Sequence, residues 1–211
     1  RLKAPDEALG LYVHIPFCET KCPYCDFNTY AQIESLIPDY IGALQRELEL
    51  WGSLLQTPRT STIFFGGGTP SYLPVDDIKR VISTINDTFE IDSAAEISLE
   101  ANPGDIDAWR ARSLKDLGFN RVSVGVQSFD DGLLQMLGRK HDANTAIAAI
   151  SSFRDGGFDS INLDLMFGLP NQTLQQWEAS LDKALELDTD HVSLYGLTIE
   201  PNTPLEAFVE R

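Results

Sequence analysis

Apolar and polar positions along the chain follow two alternating rhythms. Leu9–Ile15 (LGLYVHI) is apolar and rich in β-formers, which predicts a strand. Residues 16–30 hold three cysteines and two prolines and are expected to form an ordered loop. From Ile37 onward, apolar residues recur at Ile41, Leu44, Leu48, Trp51 and Leu55, the spacing of one helix face. STIFF (61–65) predicts a second strand, stopped by Gly66-Gly67-Gly68, and Val75, Ile78, Ile82 and Ile85 mark the next helix. AEISLEA (95–101) predicts a third strand closed by Asn102-Pro103-Gly104. A helix over 105–117 follows, with Gly118 as its C-cap. NRVSVGV (120–126) reads as the fourth strand, followed by helical stretches near 133–137 and 143–154. SINLDLMF (160–167) is the fifth strand, 174–187 a helix, and HVSLYGLTI (191–199) the sixth strand.

Strands alternating with helices predict an α/β fold with a parallel sheet and helices outside it. Six such units can curl into a partial (β/α)6 barrel or lie as an open doubly wound sheet. In both, functional groups collect at the carboxyl ends of the strands. No internal repeat or low-complexity segment interrupts the series.

Length and charge narrow the class. With 211 residues, 43% hydrophobic and 23% charged, the chain suits one globular domain spanning 1–211. Sixteen Lys and Arg face 32 Asp and Glu, a net charge of −16, and no basic cluster stands out, which excludes a nucleic-acid surface. No apolar run approaches the roughly 20 residues of a transmembrane helix. Residues 1–10 lack the apolar stretch of a signal peptide, so a cytoplasmic location is expected. The chain starts at Arg1 and stops within LEAFVER, in what reads as a first helical turn. It is expected to be a piece of a longer protein whose C-terminal domain is absent.

All three cysteines fall in one run, Cys18-Glu-Thr-Lys-Cys22-Pro-Tyr-Cys25, just after the first strand. Clustered thiolates suit an iron–sulfur cluster or zinc in a reducing compartment. Zinc wants a fourth protein ligand, for which His14 is the nearby candidate. A third reading makes the cysteines small core residues, against which stand the proline and charges between them. Three thiolates leave one iron of a four-iron cluster open to an outside ligand. Other strand ends add polar groups. Gly66-Gly67-Gly68-Thr69 can expose backbone to a ligand or merely turn the chain. Glu100 can accept from a ligand amine or cap the next helix, and Gln127 can bond a ribose or satisfy backbone. Arg139 can fork a carboxylate or end a helix, and Asp164 needs a partner if buried. Tyr12 and His14 share one face of the first strand, with His14 open between a core and a site role. His141 and His191 are expected to be structural.

Tyr12-Val-His14-Ile-Pro-Phe-Cys18 followed by Cys22-x-x-Cys25 resembles the radical S-adenosylmethionine (SAM) superfamily, and within it the branch of oxygen-independent coproporphyrinogen III oxidase and the HemW haem chaperones. The resemblance runs from Leu11 to Pro204. It implies the partial barrel, a [4Fe–4S] cluster on Cys18, Cys22 and Cys25, and SAM chelated at the open iron and cleaved to a 5′-deoxyadenosyl radical. It also implies that Tyr24 lies against the SAM adenine and that Gly67, Gly68 and Thr69 hold the methionine part. Tyr12, Glu100, Gln127, Arg139 and Asp164 complete the implied SAM site. The oxidases carry a fourth cysteine two residues after the third, where this chain has Phe27, and the Cys25-Asp26-Phe27 ending is similar to the chaperones. Implied partners are haem or a porphyrinogen, an electron donor such as a flavodoxin or ferredoxin, and a haem-acceptor protein.

Overall fold

The structure, a computed structural model, describes residues 7–209. Strand β1 (Leu9–Ile15) leads into the short strands β2 (Phe17–Cys18) and β3 (Tyr30–Ala31) and helix α1 (Ile37–Leu55). Then come β4 (Arg59–Gly67), α2 (Val75–Thr88), β5 (Glu90–Ala101), α3 (Ala108–Asp116) and β6 (Arg121–Gln127). The chain continues through α4 (Asp131–Met136), α5 (Ala143–Asp155), β7 (Ser160–Phe167), α6 (Leu174–Glu186), β8 (His191–Gly196) and α7 (Pro204–Val209).

The sheet has six strands in the order β1-β4-β5-β6-β7-β8, and every neighbouring pair is parallel. Parallel crossovers are right-handed, so strands added always on the same side place every helix on one face. A doubly wound sheet needs a reversal of strand order, and none occurs here. The sheet therefore curls as a partial barrel with its helices outside. Among the described residues, β1 pairs in it only with β4 and β8 only with β7, so it stays open.

Side chains on the strands divide between the two faces. On β6, Val122, Val124 and Val126 are fully buried, alternating with the partly exposed Arg121, Ser123, Gly125 and Gln127. The buried set joins Ile63, Phe65, Leu99, Ile161 and Leu163 with Ile41 of α1, Ile78 and Ile85 of α2 and Phe153 of α5 in one core. The concave face carries polar groups instead, including Asp164, Ser123 and a buried Asn162.

Three boundaries differ from the sequence reading. The helix expected from Asp105 begins at Ala108, because Pro103–Asp105 forms a 3₁₀ turn. The Asp107 carboxylate caps the helix by accepting from Arg110 N at 2.7 Å. Glu100 is thus free of the capping role. Strand β5 starts earlier, at Glu90, because Arg59 and Ile91 take part in a second stretch of β4–β5 pairing, separated from the first by a register break between Thr60 and Thr62. Strand β8 ends at Gly196, and Leu197 and Thr198 leave the sheet to line a cavity.

Candidate cofactor site

The cysteine loop is tied down at both ends. Parallel pairing of β2 with β3 closes it, with Tyr30 N donating to Pro16 O at 2.7 Å. Inside it, Cys25 N donates to Cys22 O at 3.0 Å, and Lys21 Nζ donates to Phe27 O at 2.9 Å. Its base is bonded to the glycine segment: Gly68 N donates to Ile15 O at 2.7 Å and Thr69 N to Phe17 O at 2.8 Å. That approach dictates glycine. A Cβ on Gly68 would sit 2.7 Å from Phe17 O and 2.9 Å from Ile15 O. Gly67 has φ +115°, and a Cβ there would lie 2.6 Å from the His14 ring. The segment is more than a turn, since it seats the cysteine loop against the barrel mouth.

A cavity of about 330 Å³ opens at the carboxyl ends of the strands. Cys18, Cys22 and Cys25 line it together with Tyr24, Gly67, Gly68, Thr69, Glu100, Gln127, Arg139 and Asp164. Strand order alone brings these residues together, since each ends or follows a successive strand. Tyr12 is the one predicted site residue outside the lining. Its hydroxyl meets His14 Nδ1 at 2.9 Å and its ring stacks on Phe64, on the concave face beside the cavity. Phe27, singled out in the sequence as standing where the oxidases have a cysteine, also lines the cavity, as do Thr29, Asn102, Ser123, Met166 and Tyr195, which were missed in the sequence. The alternation in RVSVGVQ places Ser123 on the Gln127 face and could have flagged it. Nothing local marks Asn102.

Local electrostatics fit a ligand carrying both charges. Glu100 accepts from Gly67 N at 3.0 Å, and burial, then nearby Asp164, pushes its pKa above the usual carboxylate value. Asp164 accepts from Ser123 Oγ at 2.9 Å and is raised likewise by burial. Two buried carboxylates with raised pKa favour a cationic neighbour. Opposite them, the Arg139 guanidinium donates through Nη2 to Gly125 O at 2.7 Å, while its buried Nε has no partner among the described residues. Gln127 has φ +70° at its strand end and a buried, unpartnered Oε1. A left-handed non-glycine residue with an orphaned polar atom marks a functional position. Tyr24 lines the cavity, packs against Leu133, Leu137 and Leu169, and has its pKa raised by burial.

The thiols suit a cluster better than a single ion. Burial raises the Cys18 pKa, and the Thr69 and Thr29 hydroxyls pull it back down. Among the described residues, no three Cys, His, Asp or Glu side chains converge closely enough to hold one metal ion. Three thiols lining one cavity suit a cluster, in which each iron takes its own thiolate. His14 does not serve as a fourth zinc ligand: Nδ1 meets the Tyr12 hydroxyl and Nε2 meets Asn28 O at 3.0 Å. His141 is structural, bonding Val126 O at 3.0 Å through Nε2, and His191 is bonded to Asn162.

The family model for the Radical SAM superfamily matches residues 12–184, and the chain belongs to that superfamily. Membership implies a [4Fe–4S] cluster and SAM. Among curated proteins, the chain is 46% identical over 201 residues to heme chaperone HemW of Haemophilus influenzae, covering 92% of this chain and 52% of that protein. HemW of Bacillus subtilis is 43% identical over 193 residues, covering 91% of this chain and 51% of its own. The chain thus spans about half the length of the curated relatives it matches. Among solved structures, coproporphyrinogen III oxidase (HemN) of Escherichia coli superposes with a TM-score of 0.86 at 31% identity, covering 96% of this chain and 51% of that one. The six-stranded α/β fold described above is the fold of that enzyme.

Proposed function

We propose that this chain is the radical SAM core of a HemW-like haem chaperone, which binds haem and passes it to an acceptor protein in the cytoplasm. Phe27 carries this reading: it is exposed at the cavity mouth beside Cys25, where the oxidases carry a fourth cysteine. The HemW proteins, at 36–46% identity, support it further. Cys18, Cys22 and Cys25 hold the cluster, which supplies the electron for reductive cleavage of SAM when reduced by a flavodoxin or ferredoxin. Arg139, whose Nε has no partner among the described residues, takes a carboxylate. Glu100 and Asp164 accept from cationic or hydroxyl groups, and the Gln127 amide oxygen receives a donor. The backbone at Gly67, Gly68 and Thr69 flanks the methionine part, with Tyr24 beside the adenine and Tyr12 on the adjoining concave face. A C-terminal domain beyond this core contributes the remaining haem-handling residues.

The second reading, an oxygen-independent coproporphyrinogen III oxidase, is favoured by the TM-score of 0.86 to that enzyme. One experiment separates the two. Full-length protein with reconstituted cluster is incubated anaerobically with reductant, SAM and coproporphyrinogen III. Protoporphyrinogen IX, 5′-deoxyadenosine and bound haem are then quantified. An intact SAM-responsive cluster, bound haem and no porphyrin product support the chaperone. Protoporphyrinogen with matching deoxyadenosine establishes the oxidase instead.

A further inference from the structure

Asn102 sits between two of the three cysteine sulfurs without touching either. Its Nδ2 donates to Thr69 Oγ1 at 3.2 Å, and Thr69 Oγ1 donates to Cys18 Sγ at 3.4 Å. Its Oδ1 accepts from Arg139 Nη2 at 2.6 Å, and Arg139 Nη1 donates to Cys22 Sγ at 3.4 Å. The amide has one workable orientation, since flipping it would set its NH₂ against the guanidinium donors. Asn102 is itself held: its backbone N donates to Ser71 Oγ at 3.0 Å, and Ser71 Oγ donates to Asp105 at 2.6 Å. Among the described residues Cys25 receives no comparable donor, so the three sulfurs are not equivalent.

We propose that Asn102 is a positioning residue that aims hydrogen-bond donors at Cys18 and Cys22 and thereby raises the reduction potential of the cluster they hold. The inference rests on the cluster reading above. A hydroxyl has a single proton. With Asn102 occupying an acceptor site of Thr69 Oγ1, that proton is directed to the sulfur of Cys18. Arg139 is pinned through Nη2 by Asn102 and by Gly125 O at 2.7 Å, which leaves Nη1 facing Cys22. Donors to cluster sulfurs stabilise the more negative, reduced state, and such outer groups set potential and ligand orientation. Only an amide side chain serves both directions at once. Aspartate would still accept from Arg139, but it would draw the Thr69 proton away from Cys18. Cys22, Asn102 and Arg139 also line a second, smaller cavity of about 170 Å³, so this side-chain pair forms part of the wall behind the cluster loop.

The test is an EPR-monitored redox titration of the reconstituted full-length protein, its Asn102→Leu and Thr69→Val variants and the double variant. Both substitutions keep size and add no charge. Each single change is expected to lower the equilibrium constant for reduction roughly tenfold, about 59 mV for a one-electron couple. The double variant is expected to shift by less than the sum, because both changes act on the same Cys18 contact. Exchangeable-proton couplings in ENDOR spectra of the reduced cluster should weaken in both single variants. An Asn102→Leu protein with wild-type midpoint and couplings overturns the relay. If that variant fails to assemble a cluster, Asn102→Asp carries the test: a lowered midpoint with a lost coupling supports the relay, and wild-type values overturn it. Wild-type protein lacking about four irons and four sulfides would instead overturn the cluster reading, and the relay with it.

Discussion

Glu100 and Gly67 meet across the first turn of the site, the carboxylate accepting the backbone N–H at 3.0 Å. One bond joins the end of β5 to the glycine segment after β4, and it leaves the second carboxylate oxygen for a ligand. It only partly offsets the burial that holds the Glu100 pKa above the usual value.

The consequence is a pH-dependent SAM affinity. SAM carries a permanent sulfonium charge, so in the role proposed for Glu100 it favours the ionised carboxylate. Acidification protonates Glu100 at a pH where ordinary carboxylates are still charged, and affinity falls there. Glu100→Gln should flatten that step and weaken binding at neutral pH by about 1.5–3 kcal/mol, the worth of a hydrogen bond to a charged group. Equilibrium dialysis of SAM across the acidic range measures both. A wild-type profile as flat as that of the variant would rule the role out.

Gly68→Ala tests the seating of the cysteine loop. The added Cβ meets two backbone carbonyls, which cannot rotate away as a flexible side chain could. A cost of about 1–3 kcal/mol is expected, with a lowered Tm and reduced iron content after reconstitution. Gly104→Ala is the control, since a Cβ there has no neighbour within 4 Å. Equal melting of the two variants would show that the close approach carries no weight.

Arg139→Lys separates charge from shape. The guanidinium spans Asn102 Oδ1, Gly125 O and Cys22 Sγ at once, which a single ammonium on a flexible stem cannot do. SAM affinity is expected to drop at least tenfold, about 1.4 kcal/mol, although the charge is kept. Wild-type affinity in the lysine variant would reduce Arg139 to a point charge.

Much of the fold was legible because the strand–helix rhythm is strong. Leu9–Ile15 and Ser160–Phe167 were bounded to the residue. The sequence left open the barrel and the doubly wound sheet, because strand order is a property of pairing and not of local pattern. One unused clue lay in RVSVGVQ. A parallel strand buried on both faces reads as a continuous apolar run, whereas alternation signals a concave face lined with polar groups. The site was legible where chemistry-bearing residues end strands, as Glu100 and Gln127 do. Asn102 was not legible, since its role comes from contacts with Thr69 and Arg139, 33 and 37 positions away. Tyr12 was placed on the right face but one step below the cavity, where alternation alone cannot resolve depth.

His141 gives the fold a built-in acid sensitivity. It is buried between α4 and α5, bonds Val126 O through Nε2, and burial together with nearby Arg139 holds its pKa down at about 4. The unfolded chain returns it to about 6.5. Between those values the unfolded state binds a proton that the folded state refuses, so stability is fully present above about 6.5 and is lost as pH falls toward 4. At 1.36 kcal/mol per unit, the loss amounts to about 3 kcal/mol across the window. Glu100 and Asp164, with raised pKa values, act in the opposite sense, but they do so equally in wild type and in a His141 variant. His141→Gln can keep the bond to Val126 and cannot take a charge. Urea unfolding of both proteins at several pH values should therefore show the variant losing less stability on acidification, with the gap opening below about 6.5. Parallel stability curves for the two proteins would mean that His141 takes up its proton in the folded state as easily as in the unfolded one.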